Sequence, residues 1–317
     1  VVNAYGYRAF GGPDVQEFLD RPAPVPGAHE VALAVAVAGV NPLDHVLRAG
    51  GVPMINGHLP FPQVLGMEAA GVVTAVGTAV TGLAVGDRAF GFALTGAGTY
   101  ATDTLLLGSA TARTPDALSD EWAATVPVAG TTALDVVDQL ALPRGGRLLV
   151  NGIGGGVGLA VAQLARAGGL EVIGTAGVTK RDVVTGTGAV FVDHRAPGAI
   201  DRLRAFAPGG FDGVVDLVGG ASLRAVAPLA ATPRAVVSVG DPTVGEVGGV
   251  VVERHTDRRT LERVAALMVQ GVLDPHVTAV YPFDRAAQAL ARVEDGHATG
   301  KTVLDLSARG QRGQRGQ

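Results

Sequence analysis

The chain has 317 residues, room for two domains of ordinary size, and its balance of 47% hydrophobic to 17% charged residues describes a packed globular protein. A formal charge of −4 without basic blocks argues against nucleic acid as the main partner. Cysteine is absent, which excludes disulfides, thiolate catalysis and every cysteine-ligated metal site. No charged leader opens the sequence and no apolar stretch of about 18 residues interrupts it, so the expectation is a cytoplasmic protein without membrane contact.

Taken in chain order, the first third reads as strands and turns. Residues 31–38 alternate Val or Leu with Ala, the period of a strand. Residues 71–76 and 85–92 are further short apolar runs bounded by Gly, Asp or Thr. Prolines 22, 24, 26, 42, 53, 60 and 62 crowd this region and forbid long helices. From about Trp122 the texture changes to alternating strands and helices. Strands are expected at 147–151, 170–174, 190–193, 211–218 and 235–240, with a helix over 157–167 and an amphipathic one over 260–270. Such alternation implies βαβ units and a doubly wound parallel sheet. A strand near 278–281, a helix from about Asp284 and a strand at 301–306 return to the mixed pattern. The expected division is α/β: a β-rich domain over 1–122 and again over 273–306, a dinucleotide-type domain over 123–272, and a loose tail over 307–317, where Arg-Gly-Gln repeats.

Asn151-Gly152-Ile153-Gly154-Gly155-Gly156-Val157-Gly158 joins the first strand of the inserted block to its first helix. Glycines at 152, 155 and 158 let the backbone turn and approach a pyrophosphate, whose charge meets the N–H groups that open the helix. Ile153 stands in the first glycine position of the standard fingerprint, so the match is out of register. An NAD site places an acid about 20 residues beyond the loop, for the ribose 2′-hydroxyl. Here the second strand ends Gly174-Thr175-Ala176-Gly177, and Lys180-Arg181 follow, which suits a 2′-phosphate and hence NADPH. The solvated start of a helix would read the same way at those two cations.

Six collinear motifs carry a family likeness. Gly11-Gly12-Pro13-Asp14-Val15, Ala38-Gly39-Val40-Asn41-Pro42-Leu43-Asp44, Leu65-Gly66-Met67-Glu68-Ala69-Ala70-Gly71, Val85-Gly86-Asp87-Arg88, Ala129-Gly130-Thr131-Thr132-Ala133 and Gly300-Lys301-Thr302-Val303-Leu304, with the glycine loop, resemble the zinc-independent quinone oxidoreductases of the medium-chain dehydrogenase/reductase superfamily. The resemblance implies a GroES-like catalytic domain and a Rossmann domain with NADPH in the cleft between them, in a homodimer. It places Asn41 and Thr132 by the nicotinamide, Gly152, Gly155, Gly156 and Val157 at the pyrophosphate, and Thr175, Lys180 and Arg181 on the adenosine phosphate side. His194 falls by the adenine ribose, Val218, Val239 and Gly240 close the strand ends around the dinucleotide, and Lys301 joins the cofactor set. Asn41 and Met67 stand where zinc-binding relatives carry a cysteine and a histidine, so no metal is expected. The tyrosines that relatives present to substrate are replaced by Val46 and Val52, leaving Asp44, His45, Arg48 and Tyr100 as polar candidates, with Asp44 and Glu68 read as structural.

Such a cofactor carries the difficult chemistry while the protein orients and desolvates it. Without zinc to polarise an alcohol, the expected reaction is NADPH-dependent reduction of a quinone or an α,β-unsaturated carbonyl compound, a small-molecule partner. Reduction of an enoyl thioester or polyketide intermediate is the alternative within the class. An NADPH-binding scaffold or regulatory protein with little turnover is the alternative outside it.

Overall fold

The computed structural model describes residues 2–307. The expected tail lies outside the described residues from position 308 onward. The described residues divide into two compact units, one built from residues 2–128, 256–269 and 277–307, the other from 129–255 and 270–276.

In the first unit the strand Glu30–Val40 is central. It pairs antiparallel with Glu68–Val76 on one side and with Lys301–Asp305 on the other, and Val277–Pro282 adds parallel beyond the latter. The sheet continues through Arg88–Ala93 to Asp103–Arg113, and that last strand pairs back onto Glu30–Val40, closing a barrel. A second, three-stranded sheet sets Val2–Tyr7 between Gln16–Arg21 and the two-residue strand Gln63–Val64. Burial on both faces explains the near-continuous apolar run of the central strand, whose Val31, Leu33 and Val35 pack with Tyr100, Leu106, Leu290 and Leu304. Each such side chain contributes roughly 1.5–3 kcal/mol of transfer free energy.

The helix Arg258–Val269, expected with the dinucleotide-type block, belongs to the first unit. The reason lies in Arg258, whose guanidinium donates to the carbonyls of Thr111 (2.8 Å), Thr81 (2.6 Å) and Gly108 (2.9 Å).

The second unit is a six-stranded, all-parallel sheet in the order Val190–Asp193, Glu171–Ala176, Arg147–Asn151, Gly213–Asp216, Val236–Ser238, Val250–Val251. This is the doubly wound order in which direction of winding reverses between Arg147–Asn151 and Gly213–Asp216, and ligands bind at the carboxyl ends beside that reversal. Leu149, Ile173, Val214 and Val236 from four adjacent strands pack with Leu203, Phe211 and Leu223. The crossover helix Arg181–Gly186 has only six residues, as the glycine-rich sequence there leads one to expect.

Candidate active site

The glycine loop leads from the strand Arg147–Asn151 into the helix Gly156–Ala167. Gly152 has φ +89°, a conformation that side chains with a Cβ rarely adopt, and this sets the turn. Gly155 is the N-cap, in extended conformation and without a side chain to cap the helix, so the first N–H groups point outward with the positive end of the helix dipole behind them. A Cβ at Gly155 would meet only the Gly152 carbonyl oxygen, at 3.9 Å. At Gly158 it would strike the Ile153 backbone at 2.6 Å, so that glycine serves close packing of helix on loop. Ile153 is fully buried and presses on Gly174 of the next strand, which explains an isoleucine where the standard fingerprint has glycine.

A ladder of polar side chains, not anticipated from the sequence, crosses the carboxyl ends of the strands. Thr175 Oγ1 donates to Asn151 Oδ1 (2.8 Å), and Asn151 Nδ2 donates to Asp216 Oδ1 (2.8 Å) and Ser222 Oγ (2.9 Å). Ser238 Oγ donates to Asp216 Oδ2 (2.9 Å), whose carboxylate also accepts from the backbone N–H groups of Val218 and Gly219. Thr175, expected on the adenosine phosphate side, is therefore turned inward. Its hydroxyl bonds Asn151 and also faces the Gly152 N–H at 3.3 Å, which positions the loop. The spacing of single polar residues at four strand ends was the available signal, visible only once the strands are in register.

Other expected residues gather at the same edge. The stem of Lys180 lies over Gly154, with Cβ and Cγ at 3.1 and 3.3 Å from the place a Cβ would occupy there. Arg181 is exposed and its guanidinium stacks on the Phe191 ring at 4.7 Å. His194 is exposed, its N–H bonded to the Ala176 carbonyl at the end of the second strand. Val218 is 59% exposed, unusual for an apolar residue at a strand end, and one of its methyls lies 2.9 Å from the position of a Cβ at Gly152. Val239 is half-buried and Gly240 exposed, just beyond Val236–Ser238. Thr132 is buried in the first turn of the helix Thr131–Leu140.

In the first unit the motif residues form a buried polar cluster. Glu68 Oε1 accepts from Asn41 Nδ2 and from Lys301 Nζ, both at 2.8 Å, and Oε2 accepts from the Val128 N–H at 2.7 Å. Lys301 Nζ also donates to Asn41 Oδ1 at 2.7 Å, so the Asn41 amide is engaged at both ends. Lys301, expected in the cofactor set, is instead held by this buried pair. Asp44 Oδ2 accepts from the Asn41 N–H and the Tyr100 hydroxyl, both at 2.8 Å. Burial pushes the Asp44 carboxyl up to about 7, against the two hydrogen bonds that favour its charged form. Burial, with Asp44 beside it, raises the Tyr100 hydroxyl well above the usual tyrosine range.

Two residues expected on the substrate side are buried and paired within the protein. Arg48 is 1% exposed and its guanidinium grips Glu294 with two bonds of 3.1 and 2.6 Å while its Nε donates to the Gly11 carbonyl. Tyr100 is completely buried with its hydroxyl on Asp44. Both positions looked available in sequence because a buried, paired polar residue and a ligand-facing one have the same composition. Zinc does not fit this site: Asn41 is taken up by Glu68 and Lys301, Met67 offers only a thioether, and no cysteine exists in the chain. Among the described residues no group of three His, Cys, Asp or Glu could hold a metal ion.

Residues 27–115 match the family of the alcohol dehydrogenase GroES-like domain, and residues 186–304 match the family described as zinc-binding dehydrogenase. The quinone oxidoreductase of Sus scrofa is 31% identical over 322 residues, covering 94% of this chain and 95% of its own. A mycobacterial protein solved in complex with NADPH superposes with a TM-score of 0.84 at 28% identity, over 96% of this chain and all of that one (100%). A structure described as an NAD-dependent alcohol dehydrogenase superposes with a TM-score of 0.85 at 30% identity, over 96% of this chain and 99% of its own. With the barrel, the doubly wound sheet and the glycine loop in place, the chain is an oxidoreductase and belongs to the quinone oxidoreductase family of medium-chain dehydrogenases/reductases.

Proposed function

We propose that this enzyme uses NADPH to reduce a quinone or an α,β-unsaturated carbonyl compound by hydride transfer without a metal. The observation that carries the reading is the pairing of an uncapped helix start at Gly155 with the Lys180 stem laid over Gly154. One feature offers N–H groups to a pyrophosphate and the other lays a lysine stem over the same loop, while no acid ends the strand Glu171–Ala176 to select a 2′-hydroxyl.

Gly152, Gly155, Gly156 and Val157 would hold the pyrophosphate through their backbone, and Lys180 and Arg181 the 2′-phosphate. His194, Val218, Val239 and Gly240 would line the rest of the dinucleotide. The bound cofactor supplies the hydride, and the protein's share is to orient the acceptor, exclude water and deliver a proton. The relative solved with NADPH supports the choice of cofactor, and the NAD-dependent relative shows why the strand end and Lys180 must decide it. The test is a panel of quinones and enones with purified enzyme, following NADPH oxidation. The reading expects turnover with at least one acceptor class; stoichiometric NADPH binding with no oxidation by any member would contradict it.

A further inference from the structure

Asp216 ends the strand Gly213–Asp216 and is fully buried, yet no cation among the described residues pairs with its carboxylate. Neutral donors meet the charge instead. Oδ1 accepts from Asn151 Nδ2 at 2.8 Å and Oδ2 from Ser238 Oγ at 2.9 Å. The Gly219 nitrogen lies 3.2 Å from Oδ1 and 3.1 Å from Oδ2, and the Val218 nitrogen 3.3 Å from Oδ1. Both oxygens thus face backbone N–H groups, which only donate, so the side chain is an acceptor at both ends.

That acceptor role fixes the direction of the bonds leading away from it. Asn151 must present Nδ2 to Asp216, which turns its Oδ1 toward Thr175, and the Thr175 hydroxyl donates there at 2.8 Å. A hydroxyl with its proton so placed keeps a lone pair for the Gly152 N–H, whose nitrogen is 3.3 Å away. The relay therefore runs from a buried charge to the glycine that turns the loop, at φ +89°. On its other side the same carboxylate holds the Val218–Gly219 turn that follows its own strand. The two turns also meet directly. The Leu217 N–H donates to the Asn151 carbonyl at 3.1 Å, and a Cβ on Gly152 would stand 2.9 Å from a Val218 methyl.

We propose that Asp216 is a positioning residue for the dinucleotide, fixing the polarity of this relay and holding the glycine loop and the Val218–Gly219 turn as one preformed edge. The proposal rests on the nicotinamide-cofactor reading above and adds to it a residue that itself touches no ligand. A preformed edge lowers the ordering cost of binding, so its effect is read in cofactor affinity. An amide at position 216 turns a donor toward at least one of the groups that now donate to it. The chain of bonds then loses its single direction, and the two turns are free to shift against each other.

The experiment titrates NADPH by fluorescence into wild type, Asp216→Asn, Thr175→Val, their double variant and the exchange variant D216N/N151D. D216N should weaken NADPH about tenfold, the scale of one buried polar group left unpaired. T175V cuts the relay at its far end and should lose about as much, while Thr175→Ser, which keeps the hydroxyl, stays within about twofold of wild type. Because both act on one relay, D216N/T175V should bind within about twofold of the weaker single variant. In the exchange variant one side chain again donates and the other accepts, and Thr175 still donates to position 151. Its affinity should return to within about threefold of wild type, a recovery that lost packing would not give. A folded D216N or T175V with parental affinity would overturn the proposal, as would additive losses or no recovery in the exchange variant. If D216N does not fold, T175V against T175S carries the test. A wild type that binds neither NADPH nor NADH would instead overturn the cofactor reading beneath it.

Discussion

The side chain of Lys180 crosses Gly154 so closely that a Cβ on the glycine would overlap Lys180 Cδ. One of the two lysines in the chain is thereby held against the glycine loop, 26 residues away in sequence from the glycine it covers. Lys180→Met keeps the stem and removes the charge. It should weaken NADPH about tenfold, roughly 1.4 kcal/mol, while leaving NADH within about twofold. Titration of both nucleotides into both proteins checks this. An equal loss for the two would place Lys180 on the pyrophosphate and not on the 2′-phosphate.

Gly155 and Gly158 separate binding from folding. The protein leaves space for a Cβ at Gly155, whereas Gly158 lies 2.6 Å from Ile153 backbone atoms by the same measure. Gly155→Val should therefore keep the parental unfolding midpoint within a few degrees and lose NADPH affinity by at least about tenfold. Gly158→Val should lower the midpoint as well, at a cost of about 1–3 kcal/mol for overpacking. Parental NADPH affinity in G155V would show that the loop does not hold the phosphates.

Lys301 and Glu68 form an ion pair with both side chains 5% exposed or less. Lys301→Met leaves an uncompensated carboxylate in the core and should destabilise by about 3–5 kcal/mol. Adding Glu68→Gln should recover part of that loss, since the remaining buried group is neutral. Chemical denaturation of the single and double variants measures it, and a single variant as stable as the parent would mean that water reaches Glu68.

Asp44 should make stability fall with rising pH. Its folded-state value of about 7 lies above the ordinary 3.8, so the native state holds a proton that the unfolded chain has lost. The contribution is complete below about pH 4 and disappears as pH rises toward 7. Thermal midpoints at pH 5 and pH 8 should therefore drop further for wild type than for Asp44→Asn. Parallel changes in the two proteins would show that Asp44 does not titrate in that window.

Much of the second unit was legible because its strands are short, apolar and separated by helices. The strands Arg147–Asn151 and Val190–Asp193 have the bounds that hydrophobic runs suggest. Val250–Val251 escaped notice because two exposed valines at a sheet edge leave no periodic trace. In the first unit, Val2–Tyr7 and Gln16–Arg21 mix tyrosine, glycine and charge, and their pairing with each other is what makes them strands. The glycine loop was readable as a loop of a particular kind, since turn and helix start depend on local residues. The roles of Thr175, Lys301, Arg48 and Tyr100 were not. Each has a polar group whose partners are at least 23 residues away, and only the tertiary pairing decides whether it faces a ligand or the interior.

The most direct test of the account is a fluorescence titration of the purified enzyme with NADPH and NADH under one set of conditions. The uncapped helix start, the strand end without an acid and the Lys180 stem over Gly154 together predict NADPH tighter by at least about tenfold, roughly 1.4 kcal/mol. Equal affinities, or a preference for NADH, would contradict the claim that this edge of the sheet is built for a 2′-phosphate.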